Sequence, residues 1–375
     1  MLSRLAQIGL RSSLNPDNCS IIAATVGTDT LPAMSWRVLI TARTLDEVGA
    51  DALKLLAGSG CELVVPPSYG PHRPETLISL LEGADAVLAS MDHFHDYVLE
   101  SSQARNLKVI SRWGVGYDAI DVPAATRQGI VIAYTPGLLN EAVADFAFGL
   151  LLAMARRIHI AHLQMSQGEW KTPWGDDVHG KTLGIVGCGR IGSAMARRAS
   201  GFSMRVLSYD LCVNPEAERL GVQFVPLNEL LAESDFLSLH AALTSQNRGL
   251  IDEEQLRRMK PTAYIINTAR GALIDEAALL KALHENWIAG AALDAFLVEP
   301  LPAEHPLRKA PNILLTPHLA SFARGTGERV SLCAAQAIVD LRHGRKPQFV
   351  VNPEVFNSSA LRAAIQGKKI MSAPN

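Results

Sequence analysis

Short apolar runs alternate with segments whose apolar residues recur at helical spacing along the first half of the chain. The runs predict buried strands at 37–43, 61–65, 84–90, 107–113 and 130–136. The segments between them predict helices at 45–58, 75–83, 95–103 and 122–129. Strands that alternate with helices are typical of parallel βαβ units.

The same alternation resumes after a long helical pattern from about Asn140 to Ile158 and a polar arm at 166–180 that carries Trp170 and Trp174. Strands are predicted at 182–187, 205–210, 236–241, 263–270, 288–296 and 312–318. Helices are predicted at 191–199, 227–235, 252–260, 276–287 and about 325–343. The pattern therefore predicts an α/β protein with two doubly wound parallel sheets, over about 36–134 and 140–316.

Composition excludes several classes of protein. The chain has 375 residues, 48% of them apolar, and a net charge of −2, which gives no basic surface for nucleic acid. Its five cysteines lack metal-binding spacing, so we expect no metal site and a reducing, cytoplasmic location. No run of 18 apolar residues suggests a membrane span.

Residues 1–33 differ from the rest, with Arg4, Arg11, several serines and no acid before Asp17. We expect a disordered leader or a start codon assigned too early, with a mitochondrial presequence as the alternative.

A glycine turn stands between the first strand and the first helix of the second half. Gly187, Gly189 and Gly192 form G-x-G-x-x-G, and Asp210 ends the next strand. In such a unit the first glycine allows the tight turn, the second lets the backbone approach a pyrophosphate, and the third lets helix and strand pack closely. An acid at Asp210 accepts hydrogen bonds from a ribose and repels a 2′-phosphate, which favours NAD over NADP.

A second nucleotide pattern is a decoy. Residues 175–182 match the P-loop spacing, but a Trp- and Pro-bearing arm precedes them and a strand follows. A P-loop requires the opposite order, a strand before and a helix after. An NTP hydrolase is therefore the disfavoured rival class.

Three charged residues follow predicted strands of the second half, where open α/β sheets bind their ligands. Arg270 has the forked guanidinium that holds a carboxylate and polarises a carbonyl. His318 is an acid/base suited to neutral pH, and Glu299 could orient it. Together they are the groups that hydride transfer to a 2-oxo acid requires.

These segments resemble the D-isomer-specific 2-hydroxyacid dehydrogenases. The resemblance rests on HGKTLGIVGCGRIG, INTARGALIDEAAL, AALDAFLVEPLPAEHPL and LLTPHLAS, and on RWGVGYDAIDV upstream, and it spans about 37–353. It implies an NAD-dependent oxidoreductase acting on phosphoglycerate-, hydroxypyruvate- or glyoxylate-type acids. It also implies homodimers joined through the helix after Asn140 and the Trp-bearing arm. The short C-terminal part leads us to expect no regulatory domain.

The resemblance implies a role for each site residue. Arg270 would bind the substrate, Glu299 would be the catalytic carboxylate, and His318 would be the acid/base. The loop at Val115 and Gly116 would bind the substrate carboxylate. Besides the glycines and Asp210, the cofactor site would include Arg190, Ile191, His240, Ala241, Thr268 and Asp294, with Asp294 on the nicotinamide amide.

The resemblance also implies a discontinuous substrate domain at 36–135 and 317–353, an NAD-binding Rossmann domain at 136–316, and an active-site cleft between the two. A polar tail would follow at 354–375.

Two questions stay open at the level of sequence. An NAD(H)-binding scaffold or corepressor on the same fold is the alternative to an enzyme. Substrate choice would depend on loops around Tyr69, His93, Arg112 and Trp113, with Arg112 a candidate for binding a phosphorylated substrate.

Overall fold

The computed structural model describes residues 11–14, 20–23 and 35–366. Its strands are β1 (Arg11–Leu14), β2 (Ser20–Ala23), β3 (Trp36–Ile40), β4 (Cys61–Val65), β5 (Ala86–Ala89), β6 (Val109–Arg112), β7 (Val131–Ala133), β8 (Thr182–Val186), β9 (Arg205–Tyr209), β10 (Gln223–Phe224), β11 (Phe236–Leu239), β12 (Tyr264–Asn267), β13 (Gly290–Leu293) and β14 (Ile313–Leu315). All eleven strands that the apolar runs predict are present.

The helices lie between the strands, as the alternation predicts. They are α1 (Leu45–Val48), α2 (Ala50–Gly58), α3 (Pro74–Leu80), α4 (Asp96–Leu99), α5 (Val122–Arg127), α6 (Asn140–Ala155), α7 (Ile158–Ser166), α8 (Arg190–Ser200), α9 (Pro215–Arg219), α10 (Leu227–Glu233), α11 (Glu253–Arg258), α12 (Glu276–His284) and α13 (Arg324–Arg342). Arg157, at φ +54, separates α6 from α7, a break that the sequence pattern does not reveal.

The chain forms two compact units. One comprises the described residues up to Leu138 and from Arg324 onward, and the other runs from Leu139 to Ala323. The chain passes between the units after Leu138 and after Ala323, close to the domain boundaries predicted from the sequence at 136 and 317. None of the described helices is long and apolar enough to cross a membrane.

The first unit contains a sheet in the order β1-β2-β4-β3-β5-β6-β7. Its five strands from β4 to β7 are parallel, with the order 2-1-3-4-5 of a flavodoxin-like fold. β1 and β2 form an antiparallel hairpin that adds to β4, so these parts of the expected disordered leader are strands. The rest of the leader, at 1–10, 15–19 and 24–33, lies outside the described residues.

Part of the expected polar tail also packs onto the first unit. Val355 and Phe356 are buried, and the Arg362 guanidinium donates hydrogen bonds to the carbonyl oxygens of Ala104 and Leu107. Residues 367–375 lie outside the described part of the chain.

The second unit is a fully parallel sheet in the order β10-β9-β8-β11-β12-β13-β14. The first six strands in chain order follow the Rossmann arrangement 3-2-1-4-5-6. Successive residues face opposite sides of the sheet, and helices cover both sides. Ile265 accordingly joins the core on one side, and its neighbour Ile266 joins the core on the other. This rigid sheet positions the candidate site at one edge.

Candidate active site

The polar residues of the second unit collect at one edge of its sheet. The carboxyl ends of parallel strands point the same way, so residues that follow neighbouring strands lie along one line. Each candidate lies within three residues after its strand: Asp210 after β9, Gly187 after β8, His240 after β11, Thr268 and Arg270 after β12, Asp294 after β13 and His318 after β14.

The glycine turn has the geometry that its sequence predicts. Gly187 has a φ of +89°, and an added Cβ would lie 2.5 Å from the backbone nitrogen of Ala241. A Cβ on Gly192 would overlap the carbonyl oxygen of Gly187, because α8 packs directly against the turn. A Cβ on Gly189 would instead point into open space. The turn therefore leaves room for a ligand at Gly189 only.

Asp210 is tied to this turn across 22 residues of sequence. Its carboxylate accepts hydrogen bonds from the backbone N–H of Cys188 at 2.7 Å and of Cys212 at 3.2 Å. Arg190 and Ile191 begin α8, whose N-cap Gly189 offers no side chain to satisfy the first N–H groups. Those free donors and the positive end of the helix dipole suit a phosphate.

Two buried polar atoms lack partners at the ends of β11 and β12. In the described part of the chain, His240 Nδ1 and Thr268 Oγ1 have no hydrogen-bond partner. Burial lowers the pKa of His240 to about 4, so its ring is neutral at pH 7, and Nε2 lies 2.9 Å from Ser238 Oγ. Unsatisfied buried polar groups are costly, and a bound polar ligand would satisfy them. With the glycine turn, they fit a dinucleotide such as NAD.

Glu299 and His318 form a pair, as the sequence analysis anticipates. His318 Nδ1 lies 2.8 Å from Glu299 Oε2, and the other carboxylate oxygen accepts a hydrogen bond from the backbone N–H of Phe296 at 2.9 Å. No described residue hydrogen-bonds to His318 Nε2, and the side chain is 28% exposed. One ring nitrogen is thus held by a carboxylate while the other is open to a ligand.

Arg270 lies on the neighbouring loop. Asn267 shapes this loop, because its side chain donates to the carbonyl oxygen of Arg270 and accepts from the N–H of Ala269. Gly271 is in van der Waals contact distance of the backbone at Phe296 and Leu297, where a Cβ would overlap the chain. The loop that carries Arg270 therefore abuts the turn that carries Glu299.

Asp294 is bonded to the segment that carries His318. Its side chain is 0% exposed, and it accepts hydrogen bonds from Thr316 Oγ1 at 2.6 Å, Leu319 N at 3.0 Å and Ala320 N at 2.9 Å. Burial raises the pKa of this carboxyl group, against the opposing effect of the hydrogen bonds and of His318. The carboxylate holds the segment around His318, and its contact with the nicotinamide amide stays a prediction.

The loop of Val115 and Gly116 in the first unit is held by Arg112. This buried guanidinium donates to the carbonyl oxygen of Gly116 at 2.9 Å and also to that of Trp113. Thr135 Oγ1 accepts from the N–H of Gly114 at 3.0 Å. Arg112 thus shapes the loop of Val115 and Gly116, a use that the sequence analysis did not foresee.

A buried pair of His72 and Asp92 in the first unit was not predicted from the sequence. His72 Nδ1 lies 2.9 Å from Asp92 Oδ1, and the other Asp92 oxygen accepts from Thr41 Oγ1 at 2.5 Å. His72 Nε2 lies 2.9 Å from the carbonyl oxygen of Ser68. The three residues are far apart in the chain, and no motif links them.

The P-loop match does not have the structure that its motif requires. β8 begins at Thr182, the last position of the P-loop match, so a strand follows that motif and no phosphate-binding helix start is present there. Among the described residues no group of three or more His, Cys, Asp or Glu side chains is arranged to hold a metal ion.

Comparisons with known proteins point to one family. A family model described as D-isomer specific 2-hydroxyacid dehydrogenase, NAD binding domain, matches residues 148–320. A glyoxylate reductase from Korarchaeum cryptofilum is 44% identical over 330 residues, which cover 86% of this chain and 97% of that relative.

Solved structures agree with this assignment. A glyoxylate reductase from Paecilomyes thermophila has a TM-score of 0.74 at 32% identity, covering 86% of this chain and 99% of that one. D-lactate dehydrogenase from Escherichia coli has a TM-score of 0.72 at 29% identity, covering 84% and 99%.

Proposed function

The chain belongs to the D-isomer specific 2-hydroxyacid dehydrogenases and is an NAD-dependent enzyme that interconverts 2-hydroxy and 2-oxo acids, and we propose that glyoxylate and hydroxypyruvate are its substrates. The names of its relatives support glyoxylate. Hydroxypyruvate is the same 2-oxo acid head with a small polar substituent, so the same groups would bind it.

The observation that supports this chemistry is that Glu299 holds one nitrogen of the His318 ring and leaves the other open. Glu299 accepts from Nδ1 at 2.8 Å, so the proton that can be exchanged is the one on Nε2, which has no partner among the described residues. A carboxylate at this position fixes the tautomer and the orientation of the ring. His318 is therefore the acid in reduction and the base in oxidation.

Arg270 supplies the second function, binding of the acid. Its guanidinium presents parallel donors that match a carboxylate, and it lies on the loop next to the Glu299 turn. In reduction Arg270 holds the carboxylate and polarises the carbonyl, and His318 Nε2 delivers a proton to the carbonyl oxygen. NADH, when bound, would supply the hydride. The backbone N–H groups of Val115 and Gly116 are proposed as further donors to the carboxylate.

NAD itself would be held by the residues that the turn and strand ends provide. Gly187, Gly189, Gly192 and the start of α8 would receive the pyrophosphate, and Asp210 the adenosine ribose. His240 Nδ1 and Thr268 Oγ1 have unused hydrogen-bonding capacity beside the turn.

The test is a panel of 2-oxo acids with NADH at fixed pH, comparing glyoxylate, hydroxypyruvate, phosphohydroxypyruvate and pyruvate by kcat/KM. We expect kcat/KM to be highest for glyoxylate and hydroxypyruvate. A higher kcat/KM for phosphohydroxypyruvate would overturn the substrate proposal. His318→Ala should reduce kcat about 10²- to 10⁴-fold, the usual contribution of an acid/base. An unchanged kcat would remove His318 from the mechanism.

We also propose a homodimer in the cytoplasm. Trp170 and Trp174 are 85% and 94% exposed, and Ile158, Leu163 and Met165 of the adjoining α7 are more than half exposed. Several large apolar side chains exposed within one short segment are typical of an interface. Replacing both tryptophans by serine should give a monomer in sedimentation, whereas a dimer of unchanged mass would contradict this surface. The four described cysteines are free thiols, which agrees with a reducing compartment.

A further inference from the structure

The segment from Thr316 to Ala320 carries His318 away from the end of β14, and it is held by one buried carboxylate. Asp294 accepts from the side chain of Thr316 on one side of His318 and from the N–H groups of Leu319 and Ala320 on the other. The backbone N–H of Asp294 in turn donates to Asn267 of β12 at 2.9 Å. The segment is thereby anchored to the two central strands next to it.

His318 needs such an anchor because its backbone is strained. Its φ is +51°, in the left-handed region, which a residue other than glycine occupies at a cost of about 1–3 kcal/mol. Such a conformation persists only where the surroundings over-determine it. The hydrogen bonds to Asp294 bracket His318 from both sides, and they supply that constraint.

The Asp294 carboxylate is buried against this segment. It is 0% exposed, and both oxygens are engaged by donors of the 316–320 segment. If one of these donors is lost, the buried carboxylate has fewer hydrogen bonds to offset its desolvation, which is destabilising.

We infer that Asp294 and Thr316 are positioning residues, which set the backbone of His318 so that its ring meets Glu299 at Nδ1 and presents Nε2 to the substrate. Thr316 takes this role through Asp294, with its hydroxyl as the donor. The inference rests on the proposed function of His318 as acid/base, and it adds the elements that hold the acid/base in place.

Thr316→Val tests the inference, because it keeps the shape of the side chain and removes only the hydroxyl donor. We expect kcat with NADH and glyoxylate to fall at least fivefold while the Kd for NADH and the KM for glyoxylate stay within twofold. Thr316→Ser restores the donor and should recover most of the lost kcat. Thr316→Ala, which cannot introduce a clash, carries the same expectation if the valine variant does not fold.

Ser234→Ala is the matched control. Ser234 is 0% exposed and donates to the carbonyl oxygen of Leu230 at 2.5 Å, but it precedes β11 at the opposite edge of the same sheet. Its loss should lower the melting temperature and leave kcat unchanged. An equal loss of kcat in this variant would mean that general destabilisation explains Thr316→Val, and the inference would be overturned.

The remaining outcomes separate the inference from the proposed function. If Thr316→Val keeps its kcat while His318→Ala is inactive, the positioning role is wrong and the acid/base role stands. If His318→Ala keeps its activity, the proposed function itself fails. If Thr316→Val instead raises the Kd for NADH with kcat unchanged, the pair serves cofactor binding, which also overturns the inference.

Discussion

Glu299→Gln replaces one carboxylate oxygen by an amide nitrogen without changing the size of the side chain. The backbone N–H of Phe296 donates to Glu299 Oε1 at 2.9 Å, so in the variant the amide oxygen takes this position. The amide nitrogen then occupies the position of Oε2, which is 2.8 Å from His318 Nδ1. An NH₂ group is only a donor, and it forces Nδ1 to accept. The doubly protonated ring, which must donate from both nitrogens, loses its partner.

The expected loss follows from that single hydrogen bond. A hydrogen bond to a charged group contributes about 1.5–3 kcal/mol, and about 1.4 kcal/mol corresponds to a factor of ten in rate. The full range corresponds to about 10- to 150-fold. Both side chains are partly exposed, at 28% for His318 and 21% for Glu299, so solvent screening favours the lower part of the range. We expect kcat to fall about 10- to 50-fold.

Steady-state oxidation of NADH by glyoxylate at pH 7 measures the loss, with the Kd for NADH from fluorescence titration. Asp275→Asn is the control, because it also removes one carboxylate from the second unit. Asp275 caps α12 by accepting from the N–H groups of Ala277 and Ala278, and asparagine caps equally well. This variant should keep kcat within twofold. A Glu299→Gln enzyme with wild-type kcat, or with a defect confined to the Kd for NADH, would refute the reasoning.

Three further predictions address the cofactor turn and the first unit. Asp210→Ala should lower the preference for NADH over NADPH at least tenfold in kcat/KM, and unchanged selectivity would exclude Asp210 as its source. Gly192→Ala should destabilise the protein by about 1–3 kcal/mol through overpacking, whereas Gly201→Ala, where a Cβ has only one neighbour at 3.4 Å, should not; equal melting temperatures would contradict the packing argument. The hydrogen bond with Asp92 raises the pKa of His72 above 6.5 despite burial; burial raises the pKa of Asp92, but its hydrogen bonds from His72 and Thr41 outweigh this and bring it below 3.8. The His72 contribution to stability is therefore complete below pH 6.5 and lost as pH rises through the folded pKa, and the Asp92 contribution is lost as pH falls through its own. Asp92→Asn should lower the urea midpoint more at pH 5.5 than at pH 9, and equal effects would show that the pair is not charged in the folded protein.

The positions of most strands along the chain could be predicted from the sequence. A run such as 263–270 is apolar because both faces of a parallel strand are covered, and burial on both sides leaves a signal in consecutive residues. The glycine turn was equally accessible, since the positive φ of Gly187 and the close packing at Gly192 each exclude a side chain. Short elements left no such signal, and β10 with two residues and the break at Arg157 appear only in the structure.

The roles of single polar residues divide in the same way. Glu299 and His318 follow strand ends, and the sequence brings them to one edge because parallel strands share their direction. Arg112 ends β6 and Asp294 follows β13, and both side chains bond to the protein itself, Arg112 to Gly116 and Asp294 to the segment 316–320. Sequence position told which edge a side chain occupies and not what it contacts there.

Amino-acid order by itself determined the alternation of strands and helices, the nucleotide-binding turn and the edge at which chemistry is possible, because these depend on local periodicity and on backbone geometry near each residue. Tertiary structure alone decided which charges are buried and which donors satisfy them. The pairing of His72 with Asp92 and the bracing of His318 by Asp294 depend on contacts across 20 or more residues, and burial, which makes those contacts obligatory, exists only once the chain has folded.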